Sequence, residues 1–563
     1  MKTFQTVDIE RVTANDPHSA VKTFVMERKP RIVECDVFIA GGGMGGIAAA
    51  IRAAQSGVTV CLSEETEWIG GQMTAQGVSA FDENKYVETS GATRLYQRLR
   101  QKIREHYRAL PGAPQDEHLN PGKCWVSWCA FEPIVGLEKL KELIAEECGK
   151  RAPKIFTRTK VVHTKVYRGR VKSALAVNLD TGRFIEFRTR FCIDATELGD
   201  LIPMLGIPYS SGAESNQETG EPHAPPTSNP DNVQDFTYPF VLTNEKSVAK
   251  IIDKPALYEE FKKEDKFSFR AGQRVFPMYD DPKHQMPFWT YRRLVAKELF
   301  PSYQFDVSMI NWESNDVRGA NLIDVPLTVQ AERLARGKLL SLGFLYWLQH
   351  EAGYPEVSLL TEQLGTSDGL SKYPYIRESR RIKAKKVIVE QEIAAATNGG
   401  ARAKRFNDTV GIGLYPIDIH GHQDVPGAGQ ASKPFQIPLR ALVQTHIRNF
   451  LPACKNIGTT HVTNGAYRLH PIEWAIGEAA GFVAAMCVKL KTRPEAIANN
   501  QRKLRTIQQS LVAAGSPIFW FDDVPTTDPD FSQLQMGAVT GAVAFDDSDL
   551  HGRKAKKACT SNL

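Results

Sequence analysis

Gly41, Gly43 and Gly46, in the run "AGGGMGG", have the types and spacing of a pyrophosphate-binding turn. Gly41 permits a tight turn, Gly43 lets the backbone approach a ligand with no Cβ in the way, and Gly46 lets a helix pack closely on a strand. The phosphates would rest on the free N–H groups of a helix starting near Met44 and Gly45, at its positive dipole end. Glu64, 23 residues beyond Gly41, is placed to accept from ribose hydroxyls.

A second set of residues suits proton and hydride chemistry. His461, Arg468 and His470 share the segment "THVTNGAYRLHP", and Arg377 lies in "YIRESRR". An imidazole there is a candidate base, and a guanidinium is a candidate clamp for a carboxylate or a developing oxyanion. The bland readings are a histidine that caps a loop and an Arg380–Glu378 scaffold ion pair. Asp418 and His420, in "YPIDIHGH", alternate onto one strand face. With His422 they still lack a fourth ligand, so no metal is assigned.

These residues need a strand–helix–strand frame. "CDVFIA" (35–40) reads as a buried strand, "IAAAIRAAQSG" (47–57) as a helix closed by Gly57, and "VTVCLSE" (58–64) as a second strand. Beyond it, Gly70 and Gly71 in "EWIGGQMTAQG" invite another close backbone approach, with Gln72 and Thr74 alongside. "CIDATELGDL" ends a strand at Ala195 and Thr196, followed by Gly199 and Asp200. The strand–turn–strand at 154–178 presents extended residues around Val161 and Val162 that would hold an adenine through backbone groups. This order of segments is that of a glutathione-reductase-type FAD domain.

With these blocks and "CWVSWCAFEP" (124–133), "INWESNDV" (310–317), "GIGLYPIDIH" (411–420) and "NIGTTHVTNGAYRLHPIEWAIGEAAG" (456–481), a family resemblance is plain. The chain resembles the broad FAD-dependent oxidoreductase family related to the fumarate-reductase and succinate-dehydrogenase flavoproteins, whose bacterial members often bear the label "xanthan lyase". The resemblance implies an α/β, Rossmann-like fold with bound FAD and an inserted α+β substrate domain. It also implies that the helix 471–490 points its N-terminal end at the flavin, which assigns Gly477, Glu478 and Ala480 to the cofactor. The expected organisation is an N-terminal extension (1–32), a discontinuous FAD-binding domain (33–205 and 426–490), a substrate domain (206–425) and a C-terminal helical appendage and tail (491–563). Within the substrate domain, 210–232 reads as a mobile lid, 266–276 and 286–294 as strands, and 327–353 as a helix.

The expected activity is hydride transfer at flavin N5 to or from a small polar organic substrate. The alternatives are a monooxygenase reduced by NAD(P)H and a non-catalytic flavin-binding or assembly protein. No second G-x-G-x-x-G occurs, which points to oxygen, a quinone or a carrier as electron acceptor. The 563 residues carry a net charge of only +6, too little to suggest a nucleic-acid partner. Nine scattered cysteines imply no disulfide framework, and Cys124 and Cys129 read as packing residues. The N-terminus lacks the apolar run of a secretory signal, and no stretch of ~18 apolar residues suggests a membrane span. The expectation is a soluble cytoplasmic protein. Its terminal Ser561-Asn562-Leu563 only distantly resembles a peroxisomal address.

Overall fold

In the computed structural model, residues 2–264, 266–272, 274–280, 286–421, 429–544 and 548–552 are described. His422 and the terminal Ser561-Asn562-Leu563 lie outside them. The apolar, β-branched run before the glycine loop forms the strand Arg31–Ala40 at the centre of the largest sheet. Val60–Ser63 pairs with it in parallel on one side, followed by Lys154–Phe156. On the other side lies Phe184–Asp194, also parallel. This long strand serves two partners. Its first half pairs with Arg170–Asn178 in an antiparallel meander that continues to Thr159–Tyr167. Its last three residues pair in parallel with Phe450–Pro452, so the chain rejoins the sheet after more than two hundred residues. Parallel strands with covering helices bury both sheet faces, and Val37, Phe38 and Ile39 are fully buried.

Two helices cover the ligand-facing side. Met44–Gln55 begins directly after the glycines, three residues earlier than the apolar pattern indicates, and Gly43 is its N-cap. His470–Lys489 crosses it at backbone contact. A Cβ on Gly477 would lie 2.1 Å from the Gly45 carbonyl oxygen, and one on Gly481 would lie 2.4 Å from that of Ala49. His470–Lys489 is long and apolar enough to cross a membrane, contrary to expectation. However, 89% of its most apolar window is buried within the protein, as befits a core helix.

The middle of the chain builds a second core. A four-stranded antiparallel sheet has the order Arg293–Val295, Val307–Ile310, Phe240–Thr243, Ser358–Leu359. The helix Leu327–His350 packs beside it, its Phe344 in one core with Tyr258, Phe267 and Phe288. The expected strands 266–276 and 286–294 are mostly irregular: the first contributes a hairpin of Arg270–Ala271 with Arg274–Val275, and the second only the beginning of Arg293–Val295. The segment 210–232 is tied down rather than free. Ala213 bridges Asn229, Ser215 and Glu218 form a capping box, and Glu214 binds Arg381 at 2.9 Å.

Both ends of the described part of the chain are anchored. Lys2–Val7 and Val21–Met26 form a hairpin, and the adjoining Asp8 and Glu10 bind Arg158 at 2.5 and 3.2 Å. The C-terminal helices pack on the first core through Leu504, Leu511 and Phe531.

The helix contact sets a test. Gly477→Ala should lower stability by about 1–3 kcal/mol through overpacking, read as a fall in melting temperature. Gly399→Ala, with nothing within 4 Å of the added Cβ, should leave it unchanged. Equal melting temperatures for the two variants would contradict the close approach.

Candidate functional site

The glycine loop is a cradle shaped by what a Cβ would strike. Gly41 has φ +94°, and its Cβ would lie 2.2 Å from the Ala195 carbonyl oxygen. A Cβ on Gly46 would lie 2.1 Å from the Gly41 carbonyl oxygen. Gly45 has no room either, at 1.7 Å from that of Ala453. Gly43 differs: its φ of −67° is ordinary, and the nearest atom to its Cβ is a Glu197 carboxylate oxygen at 2.8 Å. Its missing side chain therefore clears space for a ligand rather than for the fold.

The following helix has no side-chain cap and no acidic residue in its first turn. Carboxylates from elsewhere reach its donors instead. The Gly42 N–H donates to Glu64 Oε2 at 2.7 Å, and the Gly45 N–H to Glu473 Oε1 at 3.4 Å. Glu64, also held by Thr66 at 2.8 Å, has its pKa pushed up to about 7 by burial. Burial likewise raises Glu473, against the opposing charge of Lys455. Lys455 is fully buried between Glu197 and Glu473. Burial opposes its charge, but those two carboxylates hold its pKa above the usual lysine value. Glu197, Lys455 and Glu473 are absent from the sequence-based site, although Glu197 and Glu473 both fall inside its quoted blocks.

The second glycine pair closes over the first. Gly70 and Gly71 adopt φ +112° and +52°, and the Gly70 N–H donates to the Gly42 carbonyl at 2.7 Å. Gln72 is buried, with Nε2 donating to Glu473 at 2.7 Å and to the Arg468 carbonyl at 2.9 Å, while its Oε1 has no partner. Thr74 straps the turn by donating to the Ile69 carbonyl at 2.6 Å. Further along the sheet edge, Glu65 pairs with Lys160 at 2.6 Å. They line a narrow cleft with Glu64, Val161, Thr196 and Asp200. Thr196 donates to Asp194 at 2.7 Å and accepts from the Asp200 N–H at 2.7 Å, with Gly199 at φ +67° completing the turn.

Several expected cofactor residues do other work. Val161, not Val162, lines the cleft. Val162 packs on the other side of the sheet beside Phe4 and Leu175, because successive residues of a strand face opposite sides. Gly477 serves the helix contact, and Ala480 is buried in the same core. Glu478 is fully buried, bound to Arg52 at 2.9 Å and accepting from Thr93 at 2.6 Å and Trp474 at 2.9 Å. It is a scaffold carboxylate.

A cavity of about 230 Å³ lies between the two cores. Arg468 lines it, donating to the Tyr375 hydroxyl at 2.7 Å and to Asp418 at 3.1 Å. Arg377 lines it as well, binding Asp316 at 3.0 Å and Thr237 at 2.9 Å. The third arginine, Arg292, binds Asp82 at 3.0 Å. In each of the three, Nε is buried with no hydrogen-bond partner. His420 completes the group, with Nδ1 2.6 Å from Asp316 and Nε2 3.4 Å from Asp418. Burial and the Arg377 charge pull its pKa down, but Asp316 and Asp418 overcome both and bring it to about 9. Among the described residues, no group of three His, Cys, Asp or Glu side chains is arranged to hold a metal ion.

Arg468 and Arg377 thus meet in one cavity, whereas the two expected histidines do not line it. The His461 Nδ1–H donates to Glu378 at 2.8 Å, and burial, then the Arg381 charge, lowers its pKa to about 4. His470 accepts from the Asp82 N–H at 3.2 Å and donates to the Val78 carbonyl at 3.1 Å. Burial holds it neutral, also near 4. Nor do Arg380 and Glu378 pair: Arg380 binds Asp324 at 2.8 Å, and Glu378 binds Arg381 and His461. Cys124 and Cys129 are free, buried thiols.

A parallel sheet with a glycine cradle, an uncapped helix and a polar cavity beside it defines a dinucleotide-dependent redox enzyme. The chain belongs to the FAD dependent oxidoreductase family, which matches residues 36–511. No curated protein matches. Solved structures align at low similarity. A geranylgeranyl bacteriochlorophyll reductase-like protein from Thermoplasma acidophilum is 11% identical over 94% of this chain and 96% of its own, with TM-score 0.31. The OxyS anhydrotetracycline hydroxylase from Streptomyces rimosus is 11% identical over 90% and 72%, with TM-score 0.30. An L-proline dehydrogenase from P. horikoshii is 19% identical over 34% of this chain and 27% of its own, with TM-score 0.17. This chain therefore spans only about a quarter of that dehydrogenase. These superpositions are too loose to bear on the chemistry.

The residues fit FAD. The loop 41–46 offers N–H donors and no Cβ at Gly43, and Gln72 Oε1 is a buried acceptor without a donor. Gly41 to Gly46 would hold the pyrophosphate, displacing the Glu64 and Glu473 carboxylates from their donors, and Glu64 would turn to the ribose.

Two tests follow from this geometry. Gly43→Ala should fold with only a small fall in apoprotein melting temperature, from the shift forced on the Glu197 carboxylate, yet bind FAD at least ~10-fold more weakly, measured by flavin fluorescence titration; undiminished FAD affinity would remove the pyrophosphate from Gly43. The second concerns acid. His461 and His470 have folded pKa values of about 4, below the ordinary ~6.5 of the unfolded chain. The unfolded state therefore takes up their protons first. Stability is complete above pH ~6.5 and falls as the pH drops towards 4, by up to about 3 kcal/mol per histidine. His470→Asn should reduce proton uptake on unfolding near pH 5 by about one, measured from the pH dependence of denaturant midpoints; an unchanged slope would contradict a neutral His470.

Proposed function

We propose that this enzyme transfers hydride between flavin N5 and a small polar organic substrate held in the Arg292–Arg377–Arg468 cavity. One observation carries the reading. The Arg468 side chain lines the cavity, while its main-chain carbonyl is held by Gln72 of the second glycine turn. Substrate pocket and cofactor cradle thus share a residue. Bound FAD supplies the two-electron chemistry, and the chain supplies the fixing groups. Arg468 and Tyr375 orient the substrate, Arg377 and Arg292 close the polar walls, and the aromatic core behind Trp312 limits water. The kinship with fumarate-reductase-type flavoproteins inferred from the motif order supports the same use of FAD. Residues 33–205 and 426–490 would form the cofactor domain and 206–425 the substrate side, a division supported by the late return of Phe450–Pro452 to the sheet. The lack of a second glycine fingerprint favours oxygen, a quinone or a carrier as the electron acceptor.

Anaerobic mixing of the holoenzyme with panels of small acids, alcohols, amines and sugars should bleach the flavin absorbance with at least one of them. Arg468→Met should retain FAD and slow that bleaching about 100-fold or more. Bleaching at the parental rate would place the reaction outside this cavity.

A further inference from the structure

We propose that the N-terminal hairpin clamps the adenosine half of the cofactor site, with Asp8 and Glu10 as positioning residues that set FAD retention and the preference for FAD over FMN. The inference rests on the assignment of Glu64 to the ribose and adds what holds Glu64 in place. The hairpin precedes the stretch matched by the family, residues 36–511.

The extension is wedged among three parts of the molecule. Phe4 and Phe24 pack against Leu179 and Phe184 of the meander, with the Phe4 and Phe184 rings 5.6 Å apart. Val7, Ile9, Val12 and Ala20 are buried in the second core, and His18 lies 2.7 Å from Glu332 of the helix Leu327–His350. Asp8 and Glu10, which alternate with Val7 and Ile9, turn instead to Arg158 and to the loop after the strand Val60–Ser63. Both carboxylates are buried, and a buried carboxylate is costly unless it is paired.

Their partners are the frame of Glu64. Arg158 donates from Nη1 to Asp8 at 2.9 Å, to Glu10 at 3.2 Å and to the Glu65 carbonyl at 3.1 Å. Its main-chain N–H donates to the Thr66 carbonyl at 3.1 Å. Glu10 also accepts from the Glu67 N–H at 3.0 Å and from Lys372 at 2.8 Å. Lys372 in turn donates to Glu67 at 3.0 Å and to the Gly365 carbonyl at 2.9 Å. Residues 65–67 are thereby fixed through main chain and side chain together. Glu64 takes its aim from that loop, because its Oε1 accepts from the Thr66 N–H at 2.8 Å and from the Thr66 hydroxyl at 2.9 Å. Lys372 adjoins Tyr373, which lines the narrow cleft with Glu64, Glu65 and Val161. The Glu64 loop and Tyr373 thus depend on one buried carboxylate, that of Glu10. A wall fixed in advance lowers the ordering cost of binding. Loosening it acts on FAD, whose adenosine fills the cleft, and spares FMN, which ends at its phosphate.

The test loads full-length apoprotein with FAD or FMN and follows release by the recovery of flavin fluorescence. Glu10→Gln keeps the size of the side chain but removes its charge from Arg158 and Lys372. It should release FAD ~10-fold faster and leave FMN affinity within about twofold. Glu67→Gln, at a side chain 44% exposed, leaves Lys372 its Glu10 partner and should release FAD ~3-fold faster. Glu332→Gln removes only the outer contact to His18 and should change neither flavin. Parental FAD release by Glu10→Gln, or by Glu67→Gln where Glu10→Gln does not fold, would overturn the proposal. Equal weakening of FAD and FMN would do so too, as the mark of a merely structural defect. A parent that holds FMN as tightly as FAD would remove the ribose assignment itself, whereas a parent that prefers FAD, with variants that match it, would remove the clamp alone.

Discussion

The backbone contact between Met44–Gln55 and His470–Lys489 governs both sites. Two helices approach this closely only when glycine stands at the crossing, and here Gly45 faces Gly477 while Gly481 faces Ala49. The contact fixes the start of the first helix, and with it the donors of the glycine loop. It also fixes the start of the second, so that Glu473 reaches the Gly45 N–H, Gln72 reaches Arg468, and His470 holds Asp82 in place. A wider spacing would separate the cradle from the cavity. The interaction is steric before it is electrostatic, and it explains why glycines that suggest cofactor contact are spent on packing.

Between cradle and cavity the protein separates charge from neutrality. His461 and His470 are enclosed and neutral, and their nitrogens bind fixed partners. His420, with a carboxylate at each nitrogen, is driven the other way. Burial acts on all three in the same direction, and only at His420 do the flanking carboxylates outweigh it. The histidines at and just before the helix His470–Lys489 are thus framework groups, while the one that alternation along a strand pairs with an aspartate belongs to the cavity.

The cofactor half of this site is legible in the sequence because its demands fall on single positions. A left-handed φ at Gly41 and a missing Cβ at Gly43 can be read without knowing the rest of the fold. Hydrophobic pattern suffices likewise for the strands around them and for the helix Leu327–His350. Val162 is displaced by one residue because neighbouring strand residues face opposite sides of the sheet, and it is Val161 that faces the cleft. Glu478 misleads for a different reason: an acidic residue on a flavin-facing helix looks functional until Arg52, from another helix, is found against it. The cavity is the least legible part. Asp82, Arg292, Tyr375 and Tyr415 come from separate stretches of chain, and no local spacing marks any of them; His420 shows only through its alternation with Asp418.

The cradle supplies its own substitute for the ligand. N–H donors of the glycine loop and helix start that suit a pyrophosphate are met by Glu64 and Glu473. Glu64, its pKa pushed up to about 7 by burial, accepts from the Gly42 and Thr66 N–H groups. Lys455 then has two roles that do not conflict. It neutralises Glu197 and Glu473 while they stand at the helix start, and it keeps a positive charge there when an anion takes their place. The buried Glu–Lys–Glu cluster is therefore better understood as a preorganised anion site, whose acceptors can be exchanged, than as a stabilising ion pair, for which full burial would be a poor choice.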